Sequence, residues 1–262
     1  MSDLFHFGSA AKALDDDDRY GSDGEMKKTQ YVMQLLGFPG HPDTLKSMLT
    51  AAEKGIEVET AVIDMSTNQQ DSEDYRKISP LRIMPALKEA DYVVVGENGT
   101  SVFVEGRGLG RFLAPRNAAV LADQNYWMDI GRTEVQPHVE TLMKELVIGP
   151  MGDASYAADN AAIDAARAGL ATPLDALDAK IASEYIVGEF SYVDIHFTAY
   201  LHLLSVIGEA EMLNSRPSVK WWFEKIKTHK SYSGQDIVAY DLLPSLEDIK
   251  SKTLADVECG EF

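Results

Sequence analysis

The chain reads as an α/β plus all-α protein, a βαβββα unit followed by a helical one, and three observations predict this. Strand-like and helix-like patterns alternate from Thr29 to the break at Pro115 and Asn117. From Ala118 onward almost every long segment has helical period, and no strand pattern of any length returns. Between the two, a proline, Pro85, stands where the hydrophobic pattern on both sides runs into a strand. The expected organisation is an acidic N-terminal extension over 1–28, an α/β unit over 29–116 and a helical unit over 117–262.

Taken in order, residues 1–28 hold the run Asp15 to Asp18 and keep neither period for long. TQYVMQLLGF then alternates and runs apolar as a mostly buried strand does, and PGHP follows as a turn. Asp43 or Thr44 can cap a helix whose apolar positions Leu45, Met48, Leu49 and Ala52 recur at three and four, and that helix stops at Gly55. IEVETAVIDM reads as a second strand, and the polar stretch to Ile78 as an irregular short helix. The β-α-β order implies parallel strands joined by a right-handed crossover. PALKEA is the expected third strand, Ala90 to Thr100 a hairpin region, SVFVE a fourth strand and EGRGLGRFLA a helix. The helical unit is expected to hold NYWMDIGRTEVQPHVETLMKEL, the alanine-rich segment to Ser183, YVDIHFTAYLHLLSVIG and PSVKWWFEKIKTHK.

Composition narrows the function classes. With 45% hydrophobic residues in 262, the chain has enough apolar material for real cores. The 42 acidic against 24 basic residues, a net charge of −18, argue against nucleic acid or an anionic membrane as the main partner. The single cysteine, Cys259, excludes an intrachain disulfide and a Cys-x-x-Cys pair, which fits a reducing cytoplasm. No run approaches the roughly 18 apolar residues of a membrane span, and the first residues lack a secretory layout. The six histidines are scattered without metal-ligand spacing.

Proline cannot donate to a sheet ladder, so Pro85 is either a trans residue at an edge or bulge or the second member of a cis Met84–Pro85 bond. In the cis reading the Met84 N–H and C=O face outward, and an extended peptide-like ligand can pair with them as an added strand.

The order IS-P-LRIMPAL, hairpin, VFVEGRGLGRFLA resembles the thioredoxin-like half of the cytosolic glutathione transferases, with their N-P-x-G-x-V-P-x-L and a fourth strand ending in Glu-Ser. EYIVGEFSYVDIHFTAYLHLL resembles that family's L-x-G-x-x-x-S-x-A-D-I segment, with Ser191 and Asp194 as a capping box, and RPSVKWWFEKIKTHKSY its closing helix. The match spans roughly residues 30 to 235. LLGFPGHPDTLKSMLTAAEKGIEVE is similar to the opening of bacterial β-etherase-type members, and VIDMSTNQQDSEDYRKISP to theta-like members that dehalogenate or open epoxides.

The resemblance implies glutathione as co-substrate, bound near Met84 and Pro85, and a thiolate that the protein must favour. By alignment Thr44 takes the family's serine position and Asp43 its asparagine position, so the Thr44 hydroxyl is expected to donate to the sulfur at a helix N-terminus. His41, in the same turn, can serve acid–base chemistry or stand as a surface histidine. Glu105 and Gly106 match the Glu-Ser pair that holds the γ-glutamyl end, with the serine hydroxyl missing and Arg107 beside it. Arg82, Lys77 and Lys46 are candidates for the glycyl carboxylate. Tyr126, Asp129 and Thr133 share a helix face where the family lines its electrophile pocket. Each of these residues also has a plain structural use as a cap, a solvated charge or core. Gly106, Gly108 and Gly110 form a GxGxG, but without the strand-loop-helix order that a nucleotide fingerprint needs.

The implied activity is thiolate attack on a hydrophobic electrophile, first a lignin-type β-aryl ether, alternatively an epoxide or haloalkane. The other implied possibility is a non-catalytic subunit of a heterodimer. A homodimer or a heterodimer with a related chain, in the cytoplasm, is expected by resemblance, with no metal, nucleic acid or membrane partner.

Overall fold

The structure, a computed structural model, describes residues 33–108, 112–228 and 245–251. The expected acidic extension over 1–28, the first residues of strand one, Gly110 and Cys259 lie outside the described residues.

Strand β1 (Met33–Gly37) is buried at Leu35 and Leu36, as its continuous apolar run requires. A turn closed by the His41 N–H donating to the Phe38 C=O at 3.1 Å leads into α1 (Pro42–Glu53). Pro42 at the first helical position fixes a helical φ where no backbone donor is needed. Leu45, Leu49 and Ala52 form the buried stripe, and Gly55 at φ 66 ends the turn after the helix. Strand β2 (Val58–Val62) returns parallel to β1, so the first βαβ unit stands as expected. Two 3₁₀ turns (Met65–Thr67 and Gln69–Asp71) and α2 (Glu73–Ile78) make up the irregular segment. Strands β3 (Ala86–Glu89) and β4 (Tyr92–Val95) complete a four-stranded mixed sheet in the order β2-β1-β3-β4, with β3 antiparallel to both neighbours.

The elements after β3 differ from the sequence expectation. SVFVE, read as the fourth strand, lies inside helix α3 (Glu97–Arg107), and the fourth strand is YVVV, which begins nine residues earlier in the expected hairpin region Ala90 to Thr100. Of the expected helix EGRGLGRFLA only Glu105 to Arg107 are helical among the described residues. Gly96, at φ 87, breaks the strand and opens the helix. The β-branched residues of α3 are overruled by packing. Val104 is fully buried in a cluster with Leu35, Ala51 and Leu87, and Thr100 meets Ser47 of α1 at 2.6 Å between hydroxyl oxygens.

The helical part begins with α4 (Ala118–Ile130), capped by Asn117, and continues through a π turn (Gly131–Val135), α5 (Gln136–Met143), a second π turn (Lys144–Ile148) and α6 (Gly149–Gly152). At the first π turn a Cβ on Gly131 would lie 2.4 Å from Nε2 of His196, so only glycine lets the two helices approach there. Helix α7 (Asn160–Lys180) and α8 (Tyr192–Val206) match the expected helices, with α8 almost wholly buried at the centre. Short α9 (Glu211–Asn214), α10 (Pro217–Lys227) and α11 (Leu246–Ser251) follow. One apolar cluster joins Phe38, Leu45 and Leu49 to Val135, Leu170, Phe197 and Trp222, so the α/β and helical parts share a core. Each such leucine, fully buried, contributes about 1.5–3 kcal/mol. Among the described residues no helix is long and apolar enough to cross a membrane.

Candidate functional site

A cleft of about 420 Å³ lies where the two parts meet, lined by Asp43 of α1, Val95 to Gly99 at the β4–α3 junction, and Arg132, Gln136, Pro137 and Glu140 of the helical wall. Two helix N-termini converge on it. Helix α3 starts at a glycine, which offers no side-chain cap, so its first-turn N–H groups lack intrahelical acceptors and carry partial positive charge. The Gly96 N–H donates to the Pro85 C=O at 2.8 Å, which sets this helix start beside the Met84–Pro85 bond. That bond is cis, the second of the two readings the sequence left open.

The floor of the cleft is a polar network between the two parts. Lys46, 1% exposed, donates to Asp43 Oδ1 at 2.9 Å and to the Tyr200 hydroxyl at 2.8 Å, and lies 4.1 Å from the Tyr200 ring centre. The Tyr200 O–H donates to Gln136 Oε1 at 2.9 Å, and Gln136 Nε2 donates to Asp43 Oδ2 at 3.2 Å and to Glu140 Oε1 at 2.7 Å. Burial opposes ionisation of Asp43, yet the Lys46 charge and the bonds from Lys46 and Gln136 outweigh it and hold the carboxyl below its ordinary value. Glu97, at the first position of α3, goes the other way: burial raises its pKa, and Arg132, 3.7 Å away, compensates only in part. Burial likewise raises the Tyr200 phenol.

At the start of α1 the cap is His41, not Asp43 or Thr44. Its Nδ1 accepts from the Asp43 N–H at 3.2 Å, and its Nε2 lies 3.9 Å from Glu140 Oε1. His41 is 8% exposed, which corrects its reading as a surface histidine.

The sequence-predicted residues divide. Asp43 lines the cleft, and Met84 and Pro85 stand beside it. Thr44 does not face it: the side chain is buried against the backbone of Gly37, where a Cβ would lie 2.5 Å from Thr44 Oγ1, and that hydroxyl has no hydrogen-bond partner. Lys46 is buried and engaged by Asp43 and Tyr200, so it does not reach out to a glycyl carboxylate. Glu105, Gly106 and Arg107 sit at the far end of α3, where carbonyls rather than N–H groups are exposed. There Glu105 accepts from the Leu113 N–H and from the Tyr192 hydroxyl, and Arg107 pairs with Glu89. The pair is expected directly after strand four, and because strand four ends at Val95 the residues in that position are Gly96 and Glu97. Arg82, at φ 61, pairs with Asp71, and Lys77 with Asp74, both on the surface. Tyr126, Asp129 and Thr133 share a face as expected, but it is exposed, and the cleft takes the next row, Arg132, Gln136 and Glu140. Gly96, Glu97, these three and Tyr200 are the residues sequence reading passed over. The spacing of four in Arg132, Gln136 and Glu140 was the available signal.

The family model for the glutathione S-transferase N-terminal domain matches residues 31–96, and that for the C-terminal domain matches residues 133–229. Glutathione S-transferase F10 of Arabidopsis thaliana is 26% identical over 192 residues, 71% of this chain and 88% of that protein. The crystal structure of glutathione transferase F7 from Populus trichocarpa superposes with a TM-score of 0.70 at 21% identity, over 81% of this chain and all of that one. The β-etherase LigF from Sphingobium sp. strain SYK-6 does so with a TM-score of 0.66 at 19% identity, over 76% and 96%. At such identities these two structures show a shared fold. With both domain models matched in order over more than half of its length, and the four-stranded sheet and helical wall they require in place, the chain belongs to the glutathione S-transferase family.

Proposed function

We propose that the chain is a transferase that binds glutathione in the cleft and directs its thiolate at a hydrophobic electrophile. The observation that carries this is the convergence of the α1 and α3 N-termini and the Met84–Pro85 edge on one cleft, beneath a helical wall. In this reading the γ-glutamyl carboxylate meets the open N–H groups of Glu97, Asn98 and Gly99. Its ammonium lies among Asp43, Glu97 and Glu140, three carboxylates against the two cations Lys46 and Arg132. The cysteinyl backbone pairs with Met84. The electrophile enters from the helical side.

For the electrophile, the similarity of the α1 region to β-etherase-type members favours a lignin-type β-aryl ether, with epoxides and haloalkanes as the alternatives. A homodimer or a pairing with a related chain in the cytoplasm accompanies this reading. The withdrawn Thr44 hydroxyl favours a second reading, a subunit that binds glutathione without turning over. Isothermal titration with glutathione, followed by turnover of an aryl ether, an epoxide and a haloalkane, tests both. Binding at roughly −8 to −4 kcal/mol with turnover supports the enzyme, binding alone supports the subunit, and no heat together with no thermal shift removes both.

A further inference from the structure

We propose that His41 supplies the hydrogen bond that holds the glutathione sulfur as a thiolate, through its Nε2–H, and that it does so in place of the hydroxyl expected at Thr44. The inference rests on the cleft being the glutathione site, and adds to it the identity of the group that meets the sulfur.

The geometry of the ring is the first argument. The Asp43 N–H donates to Nδ1, so in the neutral ring the proton is on Nε2 and the tautomer is fixed by the helix cap itself. Nε2 points toward the cleft-lining Glu140 but, at 3.9 Å, makes no hydrogen bond with it. Glu140 is in turn held by Gln136 Nε2, so a carboxylate stands on the side to which the N–H is turned. The donor is therefore oriented and unspent.

The second argument is that the other side-chain donors around the α1 end of the cleft are committed. Thr44 Oγ1 is shut in against Gly37. Lys46 is shared between Asp43 and Tyr200, and Tyr200 donates to Gln136. Gln136 spends its amide on Asp43 and Glu140. Arg132 lies between Glu97 and Asp129 on the far side, at the α3 end. Among the described side chains at the α1 N-terminus, the His41 cap alone presents an N–H without a hydrogen-bond partner, where the helix dipole also favours a negative sulfur.

The step balances without a further reactant. The glutathione S–H gives its proton to solvent water, and His41 keeps its own and donates Nε2–H to the S⁻. The sulfur pair then forms the S–C bond as the carbon–leaving-group bond breaks. The leaving group departs with the electron pair of the broken carbon–leaving-group bond and takes up the proton that the thiol gave to solvent.

The test compares the wild type with His41→Asn and His41→Asp, which both keep an acceptor for the Asp43 N–H and so the cap, but place no N–H where Nε2 lies. His41→Gln, whose longer amide reaches toward that point, is the rescue. Three quantities are read: glutathione affinity by titration, the pH at which bound glutathione becomes thiolate by its ultraviolet difference absorbance, and kcat. The expected result for Asn and Asp is affinity within about threefold of wild type, a bound-thiol pKa higher by about one unit or more, and kcat lower by about tenfold or more, with part returned by Gln. A thiol pKa and kcat equal to wild type in either folded variant overturn the role of His41 and leave the site reading intact. A wild type that binds no glutathione overturns the site reading and this inference together.

Discussion

Two carboxylates in this chain, the fully buried Asp194 and the half-buried Asp43, stand near helix N-termini and are built to opposite ends. Asp194 of α8 accepts from the Ile186 and Ser191 N–H groups at 3.0 Å each, from the Ser191 hydroxyl at 3.3 Å and from Trp222 Nε1 at 3.1 Å. Every partner belongs to the helical part, nothing faces a cavity, and the group is fully buried. Asp43 accepts from Lys46 and Gln136, one partner from each part of the chain, and keeps an edge on the cleft. The first network is closed and fixes the packing of α8 on α10. The second is open on one side, with the first-turn N–H groups of α3 on the cleft and His41 Nε2 behind its lining residue Glu140, and these are the groups the proposed glutathione site uses. The contrast suggests that the open side of a satisfied polar network, rather than buried charge as such, marks a site.

The largest expected effect breaks the closed member. Asp194→Ala leaves at least three buried donors unpaired, and at about 1–3 kcal/mol each the loss of unfolding free energy is about 4 kcal/mol. Urea denaturation reads it directly, and a loss below about 1 kcal/mol would mean that water replaces the carboxylate and the network is not closed.

Next comes Lys46→Met, which keeps the length of the side chain and removes the cation. It strands Asp43 beside Tyr200, and breaking a buried pair on one side costs about 3 kcal/mol. The double variant Lys46→Met, Asp43→Leu is expected to recover most of that stability while glutathione affinity stays low, because the open network serves binding as well as packing. Stability and affinity recovering together would erase the distinction between the two networks.

Much of this was legible in the sequence, and the parts that were not have physical reasons. The βαβ start, the four long helices and the Ser191–Asp194 capping box follow from period and spacing, which local patterns carry. Val102, Phe103 and Val104 have strand propensity, whereas the burial of Val104 against Leu35 of β1 and Leu87 of β3 decides for helix and leaves Val102 exposed. The turn after strand four is accordingly at Gly96 and not at Glu105. The burial of Thr44 has a similar origin in registration. Reading the cap at Asp43 or Thr44 instead of His41 shifts the helix start by two or three residues, and at about 100° per residue this turns the wrong side chain to the cleft. Pro42, at home in the first helical position, was the signal for the true start. The spacing of four marks Arg132, Gln136 and Glu140 as one row, but the π turn shifts the helix phase, so the period alone does not choose this row over Tyr126, Asp129 and Thr133.

A smaller effect extends the comparison to a third carboxylate. Glu145 accepts from the Asp159 N–H, from Lys144 and from the Tyr156 hydroxyl, which together lower its pKa to about 2 and tie the second π turn to the start of α7. A lowered folded-state pKa means that stability is fully present above the ordinary carboxyl value of about 4.3 and is lost as pH falls toward about 2. Glu145→Gln is expected to flatten the fall in thermal midpoint across that window and to leave glutathione affinity unchanged. An unaltered pH slope in the variant would assign acid sensitivity to other groups.

The smallest effect concerns Thr44, and it bears on whether the open network has been drawn with the right members. The Thr44 hydroxyl is buried, unpartnered and pressed toward Gly37, so in Thr44→Val a methyl of nearly the same size replaces an oxygen that makes no hydrogen bond. Removing an unsatisfied hydroxyl from an apolar contact is favourable, and because both residues are β-branched the helix propensity hardly changes, so the expected gain is about 0.5–1 kcal/mol. Glutathione affinity, the bound-thiol pKa and kcat are expected to stay at the wild-type values, since nothing in the cleft is touched. A fall in kcat with stability kept would show that the hydroxyl turns outward when glutathione binds, and would move the thiolate donor from the His41 cap to the inner face of α1.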